Sequence, residues 1–193
     1  LKPEIILNYL NFIPENSILQ YSDIGCHFNY NGQQKLTEYI NLTNEKDILG
    51  FQYKKPNFSN DGLRFQIYRE YEYVKGDLVN YFKLDFNNEY LKTEQFCSGT
   101  IFFKNNKKSK VFLEKWLEIS NIDKLIDDSE SEEKNHKLFK EHRHDQSIFS
   151  LLCKIENVYS LSASEIEWAE DLNGRTWKHL NKHPILAKRD KKY

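Results

Sequence analysis

The sequence predicts an α/β fold in which helices flank a mixed, mainly parallel β-sheet. Short apolar or β-branched runs alternate along the chain with longer segments whose apolar residues recur at helical spacing. Apolar residues make up 39% and aromatic residues 15% of the 193 residues, which is enough for one sizeable core. The sequence has no internal repeat. We therefore expect residues 1–193 to form a single domain.

The first half of the chain begins with a predicted helix. Pro3 lies in its first turn, where a proline is tolerated. The short apolar run Ile18–Ser22 predicts a strand, and a second helix is predicted over Gln33–Asn41. Asp47–Gln52 predicts the next strand. A helix with one apolar face is then expected over Val74–Leu84.

The second half of the chain repeats this alternation. Thr100–Phe103 is β-branched and aromatic, which is typical of a strand. One amphipathic helix is predicted to start at Ser109 and another at Asp145, a residue suited to capping a first turn. Val158–Ser160 predicts the last short strand. Residues 121–140 contain a run of acids, so we expect a mobile linker there.

Charge and composition exclude some classes of protein. The 28 basic and 29 acidic side chains give a net charge of −1, which argues against a dedicated nucleic-acid-binding protein. No apolar run reaches the about 18 residues of a membrane span, and no signal peptide is recognisable. Three widely spaced cysteines indicate reduced thiols, so we expect a cytoplasmic protein with at most peripheral membrane contact. Since the chain starts at Leu1 and contains no methionine, we expect it to be a piece of a longer product.

The first candidate site follows the predicted strand Ile18–Ser22. Asp23, Gly25 and Cys26 come directly after this strand. Ligands of α/β sheets bind beyond the carboxyl ends of the strands, and a carboxylate is a suitable ligand for Mg²⁺ or Mn²⁺. Gly25 would let the backbone approach a ligand closely. The alternative, in which Asp23 only caps a turn, is less favoured at a strand end.

The second candidate site precedes the strand Thr100–Phe103. It contains Glu94, Gln95 and the small pair Ser98 and Gly99. Small residues at the entry to a central strand would leave room for a ligand. A simple tight turn explains the same residues equally well.

The third candidate site surrounds the start of the helix predicted at Asp145. Polar side chains are dense here: His142, Arg143, His144, Asp145 and Gln146. A helix N-terminus favours anions, and a carboxylate fixed there could act as a general base. The alternative is an N-cap aspartate with two surface histidines.

A fourth segment lies near the C-terminus. Its aromatic and basic residues could stack on, or pair with, a phosphorylated ligand: Trp177, His179, His183, Lys188 and Arg189. A peripheral tail that packs its tryptophans is the alternative.

These segments resemble, in their order, bacterial and viral glycosyltransferases of the GT-A type. The resemblance covers most of the chain and lies in LKPEIIL, SILQYSDIGCHFN, TEQFCSGTIFFKNNKKSKVFLEKWLEI and HRHDQSIFSLLCK. It implies a GT-A-like, Rossmann-like fold without its N-terminal strand. It also implies transfer of a sugar from a nucleotide-diphosphate sugar to a glycan or another hydroxyl acceptor.

The resemblance implies roles for individual residues. Asp23, with His183, would hold Mn²⁺ or Mg²⁺ against the diphosphate, although Gly25 stands where a second acid is usual. In an inverting mechanism Asp145 would take the acceptor proton, with Glu94 as the second candidate. The remaining implied substrate-binding residues are Cys26, Gln95, Ser98, Gly99, Arg143, His144, Gln146, Lys188 and Arg189.

Two alternatives stay open at this point. A non-catalytic carbohydrate- or nucleotide-binding domain on the same scaffold would account for the missing second acid. A metal-dependent hydrolase would use Asp23, His142, His144 and Asp145. The Asp-Gln pair before an apolar helix fits the transferase order better than the hydrolase.

Overall fold

A computed structural model of the chain describes residues 1–56 and 62–188. Its centre is a four-stranded sheet in the order β1 (Ile18–Ser22), β5 (Phe96–Lys104), β3 (Ile48–Gln52) and β6 (Tyr159–Ser162). β3 and β6 are parallel, whereas β5 is antiparallel to both of its neighbours, β1 and β3. The prediction of a mixed α/β sheet is therefore confirmed, but the prediction that it is mainly parallel is wrong.

Two small antiparallel sheets join the C-terminal residues to the rest of the fold. One pairs β2 (Cys26–Phe28) with β9 (Ile185–Ala187), and the other contains β4 (Arg64–Phe65), β7 (Ala169–Asp171) and β8 (Gly174–Thr176). The C-terminal segment was expected to be either a ligand-binding stretch or a peripheral tail. Its three strands, β7, β8 and β9, pair within these sheets as far as residue 187.

Helices cover both faces of the central sheet. They are α1 (Lys2–Phe12), α2 (Gln33–Lys46), α3 (Gly76–Tyr81), α4 (Glu89–Lys92), α5 (Lys107–Ser120), α6 (Asp123–Ile126) and α7 (His144–Ile155). α1, α5 and α7 pack on one face and α2 on the other. α3 is shorter than the helix predicted there, because Lys83 adopts a positive φ of 54° just beyond its end. Within the described residues, no helix is both long enough and apolar enough to cross a membrane.

The central strand β5 supplies side chains to two cores. Ile101 and Phe103 belong to the core under α1, α5 and α7, while Cys97 and Phe102 belong to the core under α2. Successive side chains of a strand point to opposite faces, so β5 is apolar on both sides. No disulfide links the three cysteines, all of which lie in the described part of the chain.

The register between β3 and β5 shifts at the small residues of β5. Phe51 pairs with Cys97, whereas Leu49 pairs with Phe102, so residues 98–101 bulge relative to β3. The pair Ser98 and Gly99, which the sequence pattern assigned to a strand entry with room for a ligand or to a tight turn, lies inside the strand. Bulges redirect side chains and are common beside functional sites.

Residues 121–140 contain α6 and then run along the N-terminus of α3. The Asp77 carboxylate accepts hydrogen bonds from the backbone N–H groups of Glu132 at 3.2 Å and Glu133 at 2.8 Å. Asn135 Oδ1 accepts one from the Gly76 N–H at 2.7 Å. These bonds attach the segment to the fold, and its predicted mobility stays a prediction.

Candidate functional site

Three of the predicted segments line one cleft of about 410 Å³. Asp23 follows the end of β1, Ser98 lies in the bulge of β5, and Asp145 lies in the first turn of α7. Lys2, from the first turn of α1, lines the same cleft. Residues that are far apart in the sequence are therefore brought together at one edge of the central sheet.

Oxygen atoms surround the Lys2 ammonium in this cleft. Lys2 Nζ lies 2.7 Å from Asp145 Oδ2 and 3.5 Å from Asp23 Oδ1. It also donates hydrogen bonds to Ser98 Oγ at 3.0 Å and to the Ser98 carbonyl at 3.2 Å. Ser98 Oγ in turn donates to Asp145 Oδ2 at 3.2 Å. One cation therefore connects the three segments.

The two carboxylate oxygens of Asp145 have different surroundings. Oδ2 is the oxygen nearest to Lys2 and accepts a hydrogen bond from Ser98, whereas Oδ1 accepts no hydrogen bond from any residue that the structure describes. The side chain lines the cleft and is 32% exposed. Asp145 is therefore held through Oδ2, and its carboxylate is accessible from the cleft.

The backbone just before Asp145 is strained. His144 has a φ of 48°, a left-handed conformation that is uncommon for a residue with a β-carbon. Its ring Nε2 lies 2.9 Å from Asp128 Oδ1, which directs the imidazole toward that acid. This conformation determines how the chain enters α7 and so where Asp145 points.

Asp23 is both a turn residue and a cleft residue. Its backbone carbonyl accepts a hydrogen bond from the Cys26 N–H at 2.9 Å, which forms the turn. Its side chain accepts one from the Tyr21 hydroxyl, also at 2.9 Å. Burial and the adjacent Asp23 carboxylate raise the pKa of Tyr21 well above its ordinary value, so this hydroxyl stays protonated and donates. The two interpretations of the segment are therefore compatible.

The Arg143 guanidinium packs against two aromatic rings that are perpendicular to each other. Its central carbon lies 3.8 Å from the Tyr68 ring centroid and 4.0 Å from that of Tyr73. Arg143 Nε donates to Glu141 Oε1 at 3.4 Å. Stacking of this kind fixes a planar, permanently charged group that suits carboxylate or phosphate ligands. Arg143 is thus a second fixed cation in the cleft.

A chain of buried polar side chains lies behind Gln146. Gln146 Nε2 donates to Gln95 Oε1 at 3.1 Å, and Gln95 Nε2 donates to Glu70 Oε1 at 2.8 Å. Glu70 Oε2 accepts hydrogen bonds from Ser150 Oγ and, at 2.6 Å, from Lys154 Nζ. Burial lowers the pKa of Lys154, and Glu70 opposes that shift. Gln95, predicted as a substrate-binding residue, is fully buried and supports Gln146 instead.

The histidines of the third segment do not form a metal site. His142 is buried, with Nδ1 accepting from the Lys75 N–H at 3.3 Å and Nε2 close to the Leu125 carbonyl at 2.9 Å. Burial lowers the pKa of His142 to about 4, so it is a neutral structural residue. Among residues 1–56 and 62–188, no group of three or more His, Cys, Asp or Glu is placed to hold a metal.

The residues implied for a divalent cation fit it only in part. His183 does not line the cleft; its Nε2 lies 3.9 Å from Glu165 Oε2. Asp23, Asp145 and Ser98 offer the hard oxygen ligands that Mg²⁺ and Mn²⁺ prefer. The Lys2 ammonium, however, lies at their common centre. A divalent cation could therefore bind Asp23 and Asp145 only by displacing Lys2.

Other predicted residues lie outside the cleft or the described residues. Glu94 lies 3.7 Å from Arg69 and does not line the cleft. Cys26 Sγ contacts the Gly99 carbonyl at 3.8 Å, which places Gly25 and Cys26 beside the cleft rather than in it. Lys188 does not line the cleft either, and Arg189 lies outside the described residues.

Sequence reasoning missed several residues of this site. Lys2 was present in the LKPEIIL segment but received no role. Tyr68 and Tyr73 were overlooked, although a tyrosine-rich stretch could have suggested an aromatic support. The buried Glu70 had no recognisable signal, because a charged residue in a polar stretch is usually exposed.

Comparisons of the chain with protein-family models, with curated proteins and with solved structures found no match. The functional interpretation therefore depends on the geometry of the cleft and on the chemistry of its side chains.

Proposed function

We propose that this protein is a GT-A-like glycosyltransferase. It transfers a sugar from a nucleotide-diphosphate sugar to a hydroxyl group of a glycan or another acceptor. One observation carries the proposal: Asp23, Ser98 and Asp145, each from a segment that resembles a transferase motif, line a single cleft. The mixed α/β sheet and the position of Asp23 at a strand end support the same proposal.

Asp145 is placed to act on the acceptor in an inverting transfer. The bond between the anomeric carbon and the phosphate oxygen breaks, and its electron pair stays on the departing nucleoside diphosphate. The acceptor oxygen bonds to the anomeric carbon, and its proton passes to Asp145 Oδ1, which accepts no hydrogen bond from the described residues. Lys2 and Ser98 hold Oδ2 and thereby orient the carboxylate.

A fixed cation of the cleft can stabilise the departing diphosphate. Arg143 supplies a planar guanidinium that can pair with two phosphate oxygens. A divalent cation bound by Asp23 and Asp145 in place of Lys2 would add Lewis-acid stabilisation of the same charge. Metal dependence and a cytoplasmic location stay predictions.

A non-catalytic carbohydrate- or nucleotide-binding domain is the second candidate. The contacts of Asp145 with Lys2, at 2.7 Å, and with Ser98 favour it, because both engage the carboxylate in interactions within the protein. Such a domain would bind a nucleotide-sugar in the same cleft without consuming it.

The test is release of nucleoside diphosphate from a panel of nucleotide-sugars in the presence of mixed glycan acceptors. Asp145→Asn keeps the shape of the side chain and should lower the rate by about 10²–10⁴-fold. Glu94→Gln is the matched control, because Glu94 lies outside the cleft, and it should keep the wild-type rate. Full activity of Asp145→Asn would contradict its role, and binding without turnover would favour the second candidate.

A further inference from the structure

The buried chain from Glu70 to Gln146 has a defined hydrogen-bond direction. At one end, the Glu70 carboxylate is fully buried and is ion-paired with Lys154 at 2.6 Å. An ionised carboxylate can only accept hydrogen bonds. Gln95 must therefore present its NH₂ group to Glu70, as observed at 2.8 Å. The Tyr73 carbonyl, 3.4 Å from the same nitrogen, accepts from it as well.

This arrangement at Gln95 determines the orientation of Gln146. With its NH₂ group used by Glu70 and Tyr73, Gln95 has only its Oε1 left for Gln146. Gln146 must then donate through Nε2, at 3.1 Å. Its Oε1 accepts no hydrogen bond from the residues in the described ranges, and the side chain lines the cleft. Gln146 is thus held with a carbonyl oxygen available to a ligand.

We infer that Glu70 is a positioning residue, which acts through Gln95 to present the Gln146 carbonyl to the cleft as a hydrogen-bond acceptor. A group presented in this way selects ligands that have an O–H donor at that point, because a ligand without the donor leaves the carbonyl unpaired. This selection rests on the proposed function, in which the donor is a hydroxyl of the sugar or of the acceptor. The orientation of Gln146 does not rest on it.

The orientation of Gln146 can be tested by reversing the direction of the hydrogen bonds that run from Gln146 through Gln95 to Glu70. Gln146→Glu places a carboxylate opposite Gln95 Oε1, so two acceptors face each other, and we expect the Tm to fall by about 5 °C. The same substitution is then made with Glu70→Gln and Lys154→Met, which removes both buried charges together. The new glutamine can donate to Gln95 Oε1, which lets Gln95 turn and donate to the glutamate at position 146. In the protein that carries Glu70→Gln and Lys154→Met, Gln146→Glu should lower the Tm by less than half as much as it does alone.

A control variant, Gln95→Met, interrupts the series of hydrogen bonds between Glu70 and Gln146. With Gln95→Met present, Gln146→Glu should lower the Tm by the same amount whether or not Glu70→Gln and Lys154→Met are also present. The reason is that no amide at position 95 can then reverse its hydrogen bonds. The inference is overturned if, with Gln95 intact, Gln146→Glu lowers the Tm by the same amount with and without Glu70→Gln and Lys154→Met. It is also overturned if the recovery persists with Gln95→Met, since the coupling would then not pass through Gln95. These melting measurements need no ligand, so their outcome is independent of the proposed function.

A binding measurement tests the acceptor role of Gln146. Gln146→Met has a similar length but offers no carbonyl oxygen. It should weaken binding of the nucleotide-sugar consumed by the wild type, or of its acceptor, by about tenfold. Gln34→Met, on the exposed surface of α2 and outside the cleft, is the matched control and should keep the wild-type affinity. Unchanged affinity of Gln146→Met for both ligands would overturn the acceptor role and leave the orientation to the melting data.

Discussion

The buried ion pair between Glu70 and Lys154 gives the most clearly defined prediction about stability. The two side chains are 0% and 5% exposed and lie 2.6 Å apart. Lys154→Met removes the ammonium and leaves the Glu70 carboxylate buried with only neutral donors from Ser150 and Gln95. Loss of one partner of a buried pair costs about 3–5 kcal/mol, and these donors place the expected loss near 3 kcal/mol. For a chain of this size that corresponds to a fall in Tm of about 6–12 °C.

A surface ion pair of equal length provides the matched control. Lys115 and Glu156 also lie 2.6 Å apart, but their side chains are 47% and 37% exposed. Lys115→Met should therefore cost no more than about 1 kcal/mol. Urea denaturation gives both free energies of unfolding, with the m-value checking that both variants unfold in the same way. A loss below about 1 kcal/mol for Lys154→Met would refute the reasoning, because burial would then not distinguish the pairs.

Removal of both buried charges completes the test. Glu70→Gln combined with Lys154→Met leaves no isolated charge in the core. Such double replacements are often close to neutral, so we expect a stability within about 1 kcal/mol of the wild type. A double variant as unstable as Lys154→Met alone would show that lost packing, rather than an unpaired carboxylate, causes the effect.

Two further predictions concern His142 and Lys2. Because the folded pKa of His142 is about 4, against an ordinary value of 6.5, the unfolded chain binds a proton between these pH values that the folded chain does not. The free energy of unfolding therefore falls as pH decreases from 6.5 to 4. Between pH 7 and pH 4 in urea titrations, the wild type should lose about 3 kcal/mol more than His142→Gln. An equal loss in the two proteins would contradict this. Lys2→Met should bind Mn²⁺ about tenfold or more tightly than the wild type by electron paramagnetic resonance, because it removes a like charge beside Asp23 and Asp145. Lys35→Met is the control: it removes an ammonium paired with Glu38 and Glu165 and should leave the Mn²⁺ affinity unchanged. Equal Mn²⁺ affinity of Lys2→Met and the wild type would show that Lys2 does not compete with the metal.

Local structure was largely predictable from the sequence. β1 begins and ends at the predicted residues, Ile18 and Ser22, because a short apolar run there is bounded by a turn and an acid. α5 starts at Lys107 rather than at the predicted Ser109, because the Asn106 side chain accepts a hydrogen bond from the Ser109 N–H and caps the helix earlier. Periodicity identifies such elements, while side-chain caps fix their ends.

The order and direction of the strands were not predictable in the same way. β5 is the centre of the sheet, and both of its neighbours, β1 and β3, run antiparallel to it. Alternation of helices and strands suggests parallel neighbours, but it does not state which strands pair. Ser98 and Gly99 illustrate the consequence, because their small side chains left a turn and a ligand-binding strand entry equally open, whereas the structure has a bulge inside the strand.

The candidate site was predictable in its acids and not in their partners. Asp23 and Asp145 stood out because each is a carboxylate at the end of a predicted element. Lys2 did not, because nothing in a lone lysine at a helix start indicates two distant carboxylates. Lys154 offered a weak signal, as a charged residue on the mostly apolar helix α7, but its partner Glu70 is identified only by the folded structure.

In the proposed function, the cleft lined by Asp23, Ser98 and Asp145 binds a nucleotide-sugar. The most direct measurement is the change in backbone amide NMR signals on adding the nucleotide-sugar that most raises the Tm. We expect the largest changes at Ser98, Asp145 and Gln146, which line the cleft. Changes centred instead on the separate depression lined by Lys46 and Lys107, or the absence of any stabilising nucleotide-sugar, would contradict the claim.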